Sequence, residues 1–141
     1  MATDRQMLVD ELVRDEGLRL KPYLDTVGKW TLGVGRNLSD KGISSREAFD
    51  LLDHDLNECV ADLAGEFPWF VKLDAVRQRV VVNMRFNLGP SRFRQFKQTI
   101  AAIAAGDYVK ASEQMLKSKW ASQVGQRAQR LARMMATGAS V

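Results

Sequence analysis

The run from Glu16 to Gly35, EGLRLKPYLDTVGKWTLGVG, constrains the fold of this chain more than any other segment. Helical periodicity stops at its start and resumes only after Gly42. Pro22 blocks a helix, Val27-Gly28-Lys29 has the form of a hairpin turn, and Trp30, Leu32 and Val34 alternate with small residues. The segment therefore reads as a small antiparallel sheet set into a helical chain. It also gathers Glu16, Asp25 and Thr31 onto loops and strand ends, where chemistry is usually found. Gly33-Val34-Gly35 lacks the third glycine and the Lys-Ser/Thr of a phosphate loop. Its glycines instead let a strand pass close to something else, such as substrate or a neighbouring strand.

Helical signals flank the break. Thr3-Asp4-Arg5-Gln6 has the form of a capping box, and Met7, Leu8, Leu12 and Val13 form one apolar face. Gly17 stands where a helix C-cap needs positive φ, so Glu16 falls on the last helical turn. The negative end of the helix dipole disfavours an ionised carboxylate there. Ser44-Ser45-Arg46-Glu47 forms a second capping box, followed by a long helix with Phe49, Leu52, Leu56, Val60 and Leu63 inward. Asp53, His54, Asp55 and Glu58 form its solvated face, and the chain has no second His to complete a metal pair. Asp74 caps a helix through Val76, Val80, Met84 and Leu88 that stops at Gly89-Pro90, with Asn83 and Asn87 on one face beside Phe86. Phe93, Phe96, Ile100 and Ile103 mark short helical turns with core spacing. Gly106-Asp107 opens a helix bearing Tyr108, Ala111, Met115 and Leu116. Trp120 and Val124 precede a last helix with Leu131, Met134 and Met135 inward.

At 141 residues the chain suits one domain, with room for two lobes, and no segment reaches the roughly 20 apolar residues that span a bilayer. The N-terminus shows no secretory signal, and the single Cys59 reads as a small buried apolar group. The net charge of +4 conceals an asymmetry: 8 Lys/Arg against 14 Asp/Glu from Met1 to Glu66, then 13 against 3 from Phe67 to Val141. A basic half favours a polyanionic partner such as nucleic acid, an anionic membrane face or an acidic wall polymer. Core spacing of the aromatics argues against nucleic-acid reading.

The triplet Glu16, Asp25 and Thr31 has the spacing E-x8-D-x5-T, within DEGLRLKPYLDTVGKWTLGVG at 15–35. With LDAVRQRVVVNMRFNLG at 73–89 and KSKWASQVGQRAQR at 117–130, it resembles the phage-type lysozymes, the muramidase endolysins, from about residue 7 to about residue 135. The resemblance implies a lysozyme-like α+β fold: a small β-containing lobe at about 17–42, a helical lobe at about 1–16 and 43–141, and a sugar-binding cleft between them. The bridge from Leu38 to Ile43 is short, so the small lobe is abbreviated relative to the type member.

The resemblance further implies hydrolysis of the β-1,4 bond between N-acetylmuramic acid and N-acetylglucosamine. Glu16 matches the catalytic Glu, Asp25 the second carboxylate and Thr31 the hydroxyl residue. Asn37, Phe86, Thr99 and Gln114 fall at saccharide-binding positions; at 37, 99 and 114 the side chains differ from the type member's. Arg127 falls where a C-terminal Arg can approach the catalytic Glu. Glycoside hydrolysis needs a proton for the leaving oxygen and a second carboxylate on the opposite face of the ring, which the triplet supplies. Asp25 and Thr31 can hold the attacking water, giving inversion, or Asp25 can attack directly, giving retention. The other readings are a silent wall-binding or virion module on the same fold, which has no need of all three residues, and a lytic transglycosylase, which needs no attacking water.

No metal or other cofactor is implied. The expected partner is the peptidoglycan glycan strand, met by a monomer made in the host cytoplasm and released through a separate membrane pore. Arg127, Arg130 and Arg133 form a basic stripe on the last helix that can meet an anionic envelope. Arg36 follows the Gly-x-Gly where several relatives carry His, and the expected ion-pair partner on the long helix is Asp55.

Overall fold

The computed structural model describes residues 2–141, with side chains from Asp4 onward. The expected capping box at Thr3 depends on a side chain outside the described residues. Helix α1 (Ala2–Glu16) leads into strands β1 (Arg19–Leu24), β2 (Trp30–Gly33) and β3 (Arg36–Asn37), which form an antiparallel sheet in that order. Seven further α-helices follow: α2 (Ser45–Glu66), α3 (Ala75–Leu88), α4 (Pro90–Arg94), α5 (Lys97–Ala104), α6 (Tyr108–Lys117), α7 (Lys119–Val124) and α8 (Gln126–Thr137). A single 3-10 turn, Phe70–Lys72, precedes α3. The α+β class read from the sequence is the observed one. Among the described residues no helix is long and apolar enough to cross a membrane.

The chain divides into two compact units, Met1–Leu51 and Leu52–Val141. Thus α1 and the first turns of α2 group with the sheet.

The helix boundaries follow from local chemistry. Gly17, at φ +80°, ends α1 with its N–H donating to Val13 O at 2.8 Å. The Ser44–Glu47 box forms in both directions, Ser44 N to Glu47 Oε1 at 2.9 Å and Glu47 N to Ser44 Oγ at 3.1 Å. Asp74 accepts from Arg77 N, Asp107 from Lys110 N, and Ser118 from Ala121 N, so three more helices begin on side-chain caps. Gly89, at φ 82°, stops α3, and Pro90 starts α4 at once.

In the Leu52–Val141 unit one apolar cluster is continuous from Leu63 to Met135, with Phe93, Met84, Val80, Met115 and Leu131 fully buried. Long-range polar ties close it. Asn83 Oδ1 accepts from Arg127 Nε and Nη2, at 2.9 and 2.7 Å, and Asn87 Oδ1 accepts from Trp120 Nε1 at 2.8 Å. The asparagines noticed beside Phe86 thus anchor α7 and α8 to α3. Asp62 joins Arg85 and Arg94 at 3.0 and 2.8 Å. Burial pushes the Asp62 carboxyl up, but these guanidinium bonds outweigh it and hold the group below its ordinary range. Cys59 is buried, as expected, and burial raises its thiol pKa.

The Met1–Leu51 unit is built differently. Met7, Leu8 and Leu12 of α1, and Phe49 of α2, were expected to face inward, yet all are exposed. A unit this short has little interior to offer them, and its one buried described side chain is Thr31. In β2, where Trp30, Leu32 and Val34 alternate with small residues, Trp30 is exposed and Thr31 is the buried residue.

Candidate active site

Asp25 organises the hairpin between β1 and β2. Its Oδ1 accepts the N–H groups of Val27 and Lys29, at 2.9 and 2.8 Å, and its own N–H donates to Lys29 O at 2.9 Å. Gly28, at φ 82°, makes the tight turn possible. This arrangement fixes the carboxylate's orientation and leaves Oδ2 without a hydrogen-bond partner among the described residues. Thr31, opposite Tyr23 on β1 and Asn37 on β3, donates its hydroxyl proton to Lys29 O at 3.0 Å. The backbone of Lys29 therefore carries the Asp25 carboxylate on its N–H and the Thr31 hydroxyl, with the Asp25 N–H, on its C=O.

Glu16, at the C-terminal end of α1, is solvent-exposed as a residue, but its carboxylate lies against the backbone of Gly35. A Cβ on Gly35 would stand 2.7 Å from Glu16 Oε2 and 3.0 Å from its Cδ. Gly35 also has φ +65°, in the left-handed region. Of the two glycines in Gly33-Val34-Gly35 it is Gly35 that makes a close approach, and its neighbour is the Glu16 carboxylate rather than another strand.

The other sequence candidates divide between the units. Asn37 is tied into a local turn, its Oδ1 accepting Asp40 N and its Nδ2 donating to Asp40 Oδ2. Thr99 on α5 and Gln114 on α6 line one open groove of about 550 Å³, in the Leu52–Val141 unit. Phe86, half-exposed on α3, is not part of that lining. Arg127 on α8 has Asn83 as its described partner. The groove also carries Arg92, Lys97, Lys117 and Lys119, with no acid in its wall. Sequence reasoning passed over these cations individually; the charge excess of the second half was the signal that contained them.

Arg36 does not pair with Asp55. Its Nη1 and Nη2 hold Glu47 Oε1 and Oε2 at 3.0 and 2.7 Å, and Nη1 also donates to Gly42 O at 3.2 Å. Glu47, in the first turn of α2, lies two helical turns before Asp55, and its carboxylate is already aimed back by the Ser44 cap. A planar guanidinium can engage it through both oxygens. The Arg36 fork, followed by the Ser44 bonds, holds the Glu47 carboxyl at about 2, well below its ordinary 4.5.

No group of three or more His, Cys, Asp or Glu side chains is placed to hold a metal among the described residues. His54 faces solvent 3.5 Å from Glu58.

A small antiparallel sheet carrying a pinned Asp and a buried Thr, joined to a seven-helix run, defines a lysozyme-like α+β protein. The phage lysozyme family model matches residues 13–136, and the chain belongs to that family. It is accordingly a glycoside hydrolase of the lysozyme type. It is 26% identical over 160 aligned positions to the probable T4-type lysozyme 2 of Dictyostelium discoideum, covering 93% of this chain and 94% of that protein. An endolysin of Acyrthosiphon pisum secondary endosymbiont phage 1 is 31% identical, over 81% of this chain and 78% of its own length. The pre-baseplate central spike protein Gp5 of Enterobacteria phage T4 is 28% identical over 93% of this chain, which spans only 28% of that protein. Alignments of 159 and 160 positions exceed the 141 residues present, so these relatives carry residues that this chain lacks.

Proposed function

We propose that this lysozyme hydrolyses the β-1,4 bond between N-acetylmuramic acid and N-acetylglucosamine in bacterial peptidoglycan, with Glu16 as general acid. Glu16 gives its proton to the leaving glycosidic oxygen. A water attacks the anomeric carbon, loses a proton to Asp25, and leaves a new reducing muramic acid end. The observation that carries this reading is the pinned Asp25: Oδ1 is held by two backbone N–H groups, Oδ2 has no described partner, and Thr31 is bonded to the carbonyl of the same residue, Lys29. With its proton committed to Lys29 O, the Thr31 hydroxyl keeps lone pairs to accept from water. This favours a water-mediated, inverting reaction over direct attack by Asp25.

Thr99 and Gln114, which share a groove, are proposed to bind the glycan strand, with Phe86 and Asn37 as further contacts. Asn37 would act through its backbone, since its side chain is spent on Asp40. Arg127 is proposed to act chiefly as the anchor of α8, with the exposed Arg130 and Arg133 available to an anionic envelope. The endolysin relative supports a role in host lysis. The spike-protein relative supports a second reading, in which the enzyme travels with the virion and acts at entry.

Digestion of purified peptidoglycan by wild type and Glu16→Gln tests the chemistry. New reducing muramic acid ends from wild type, absent in a folded Glu16→Gln, are expected. Anhydro ends would mean transglycosylation, and no new ends a silent module. The anomer released first, followed by NMR, separates inversion (α) from retention (β). Finding the protein in purified virions would favour the entry role.

A further inference from the structure

We propose that Arg36 and Glu47 are positioning residues for the reaction: their two-point ion pair fixes the turn between β2 and β3, so that the Gly35 backbone stays seated beneath the Glu16 carboxylate. The inference rests on the reading of Glu16 as the acid.

The β2–β3 ladder has only two residue pairs, Thr31 with Asn37 and Leu32 with Arg36. So short a ladder fixes the turn at Val34-Gly35 weakly. Apolar packing does not supply the missing constraint, because Val34 is exposed and the Met1–Leu51 unit buries no apolar side chain among the described residues. The Arg36 fork does supply it. Arg36 is the residue directly after Gly35, and it grips Glu47 through both carboxylate oxygens while donating to Gly42 O. Glu47 is itself locked to the start of α2 by the reciprocal Ser44 bonds. A continuous run of bonds thus leads from the α2 N-terminus through Glu47 and Arg36 to the glycine against which Glu16 rests at a separation admitting no side chain.

The geometry of the fork matters as well as its charge. Two guanidinium nitrogens meeting two oxygens fix distance and plane together, which a Lys ammonium does not. The titratable groups lining the same apolar groove as Arg36 are Glu47 and Asp50. Glu47 stays ionised through the range in which a catalytic carboxyl works, so the clamp is closed whenever the enzyme is active.

The test is steady-state kinetics on soluble peptidoglycan fragments for Arg36→Lys, Arg36→His and Glu47→Gln, at a temperature well below each variant's melting midpoint. Arg36→Lys and Glu47→Gln are expected to lower kcat about ten- to a hundredfold, with KM changed less than about threefold, as a misplaced catalytic group does. Arg36→His should add an alkaline limb absent from wild type: kcat approaches the wild-type value where the imidazole is protonated and falls as pH rises through roughly 6.5. A purely structural pair would lower the melting midpoint and leave kcat and its pH profile untouched, and that result overturns the proposal. A fall in kcat caused by partial unfolding would be recovered on cooling, and such recovery also overturns it. If Glu16→Gln retains activity, it is instead the reading of Glu16 that fails, whatever the clamp variants do.

Discussion

From Leu52 to Val141, eighteen apolar side chains bury into one continuous cluster, while from Met1 to Leu51 the single buried described side chain is Thr31. The helical unit is held by area removed from water, at about 25 cal/mol per Å² of apolar surface, and its polar ties sit at the margins of that core. The sheet-bearing unit is held by directional contacts: the Asp25 turn, the Ser44–Glu47 box, the Arg36 fork and glycines at positive φ. Each of these specifies a position closely while contributing little energy of its own. The unit that carries the candidate catalytic carboxylates is thus the one fixed by geometry, and the apolar mass of the protein lies in the other.

This contrast can be broken most severely by removing a core side chain. Phe93→Ala, at a fully buried site, should cost about 3–5 kcal/mol in denaturant unfolding. Truncating the exposed Phe49 to Ala should change stability by under about 0.5 kcal/mol. Equal losses at the two sites would mean that the units do not differ as described.

The next largest effect falls at Gly35. Gly35→Ala adds a methyl 2.7 Å from Glu16 Oε2 at φ +65°, and strain in the left-handed region costs about 1–2 kcal/mol. The expected signature is a loss of activity far greater than the loss of stability, read by comparing peptidoglycan turnover with the urea midpoint. A variant that is fully active would show that Glu16 can work away from its seat.

The smallest effect is an acid dependence. Because the folded protein holds Glu47 at about 2 against an ordinary 4.5, it binds fewer protons than the unfolded chain between those values. The pair's contribution is complete above about pH 4.5 and is lost as pH falls through about 2. Urea midpoints measured from pH 5 to 2 should fall less steeply in Glu47→Gln than in wild type. Parallel curves would mean that the exposed pair contributes nothing measurable.

The sequence by itself determined the features whose partners lie within a turn of one another. The Ser44–Glu47 box, the Asp74 cap, the Gly17 and Gly89 stops and the hairpin at Gly28 all join residues two to four apart, where backbone sterics and capping chemistry suffice. Tertiary structure decided the rest. Arg36 took Glu47 over Asp55 because Ser44 had already turned that carboxylate toward it, and Asn83 and Asn87 took Arg127 and Trp120 across 44 and 33 residues. It also decided which apolar faces were covered: helical periodicity marks a stripe on α1 and on α2, but burial requires enough neighbouring chain to close over it, so Leu63 is buried while Phe49, Leu52 and Val60 of the same α2 stripe stay exposed.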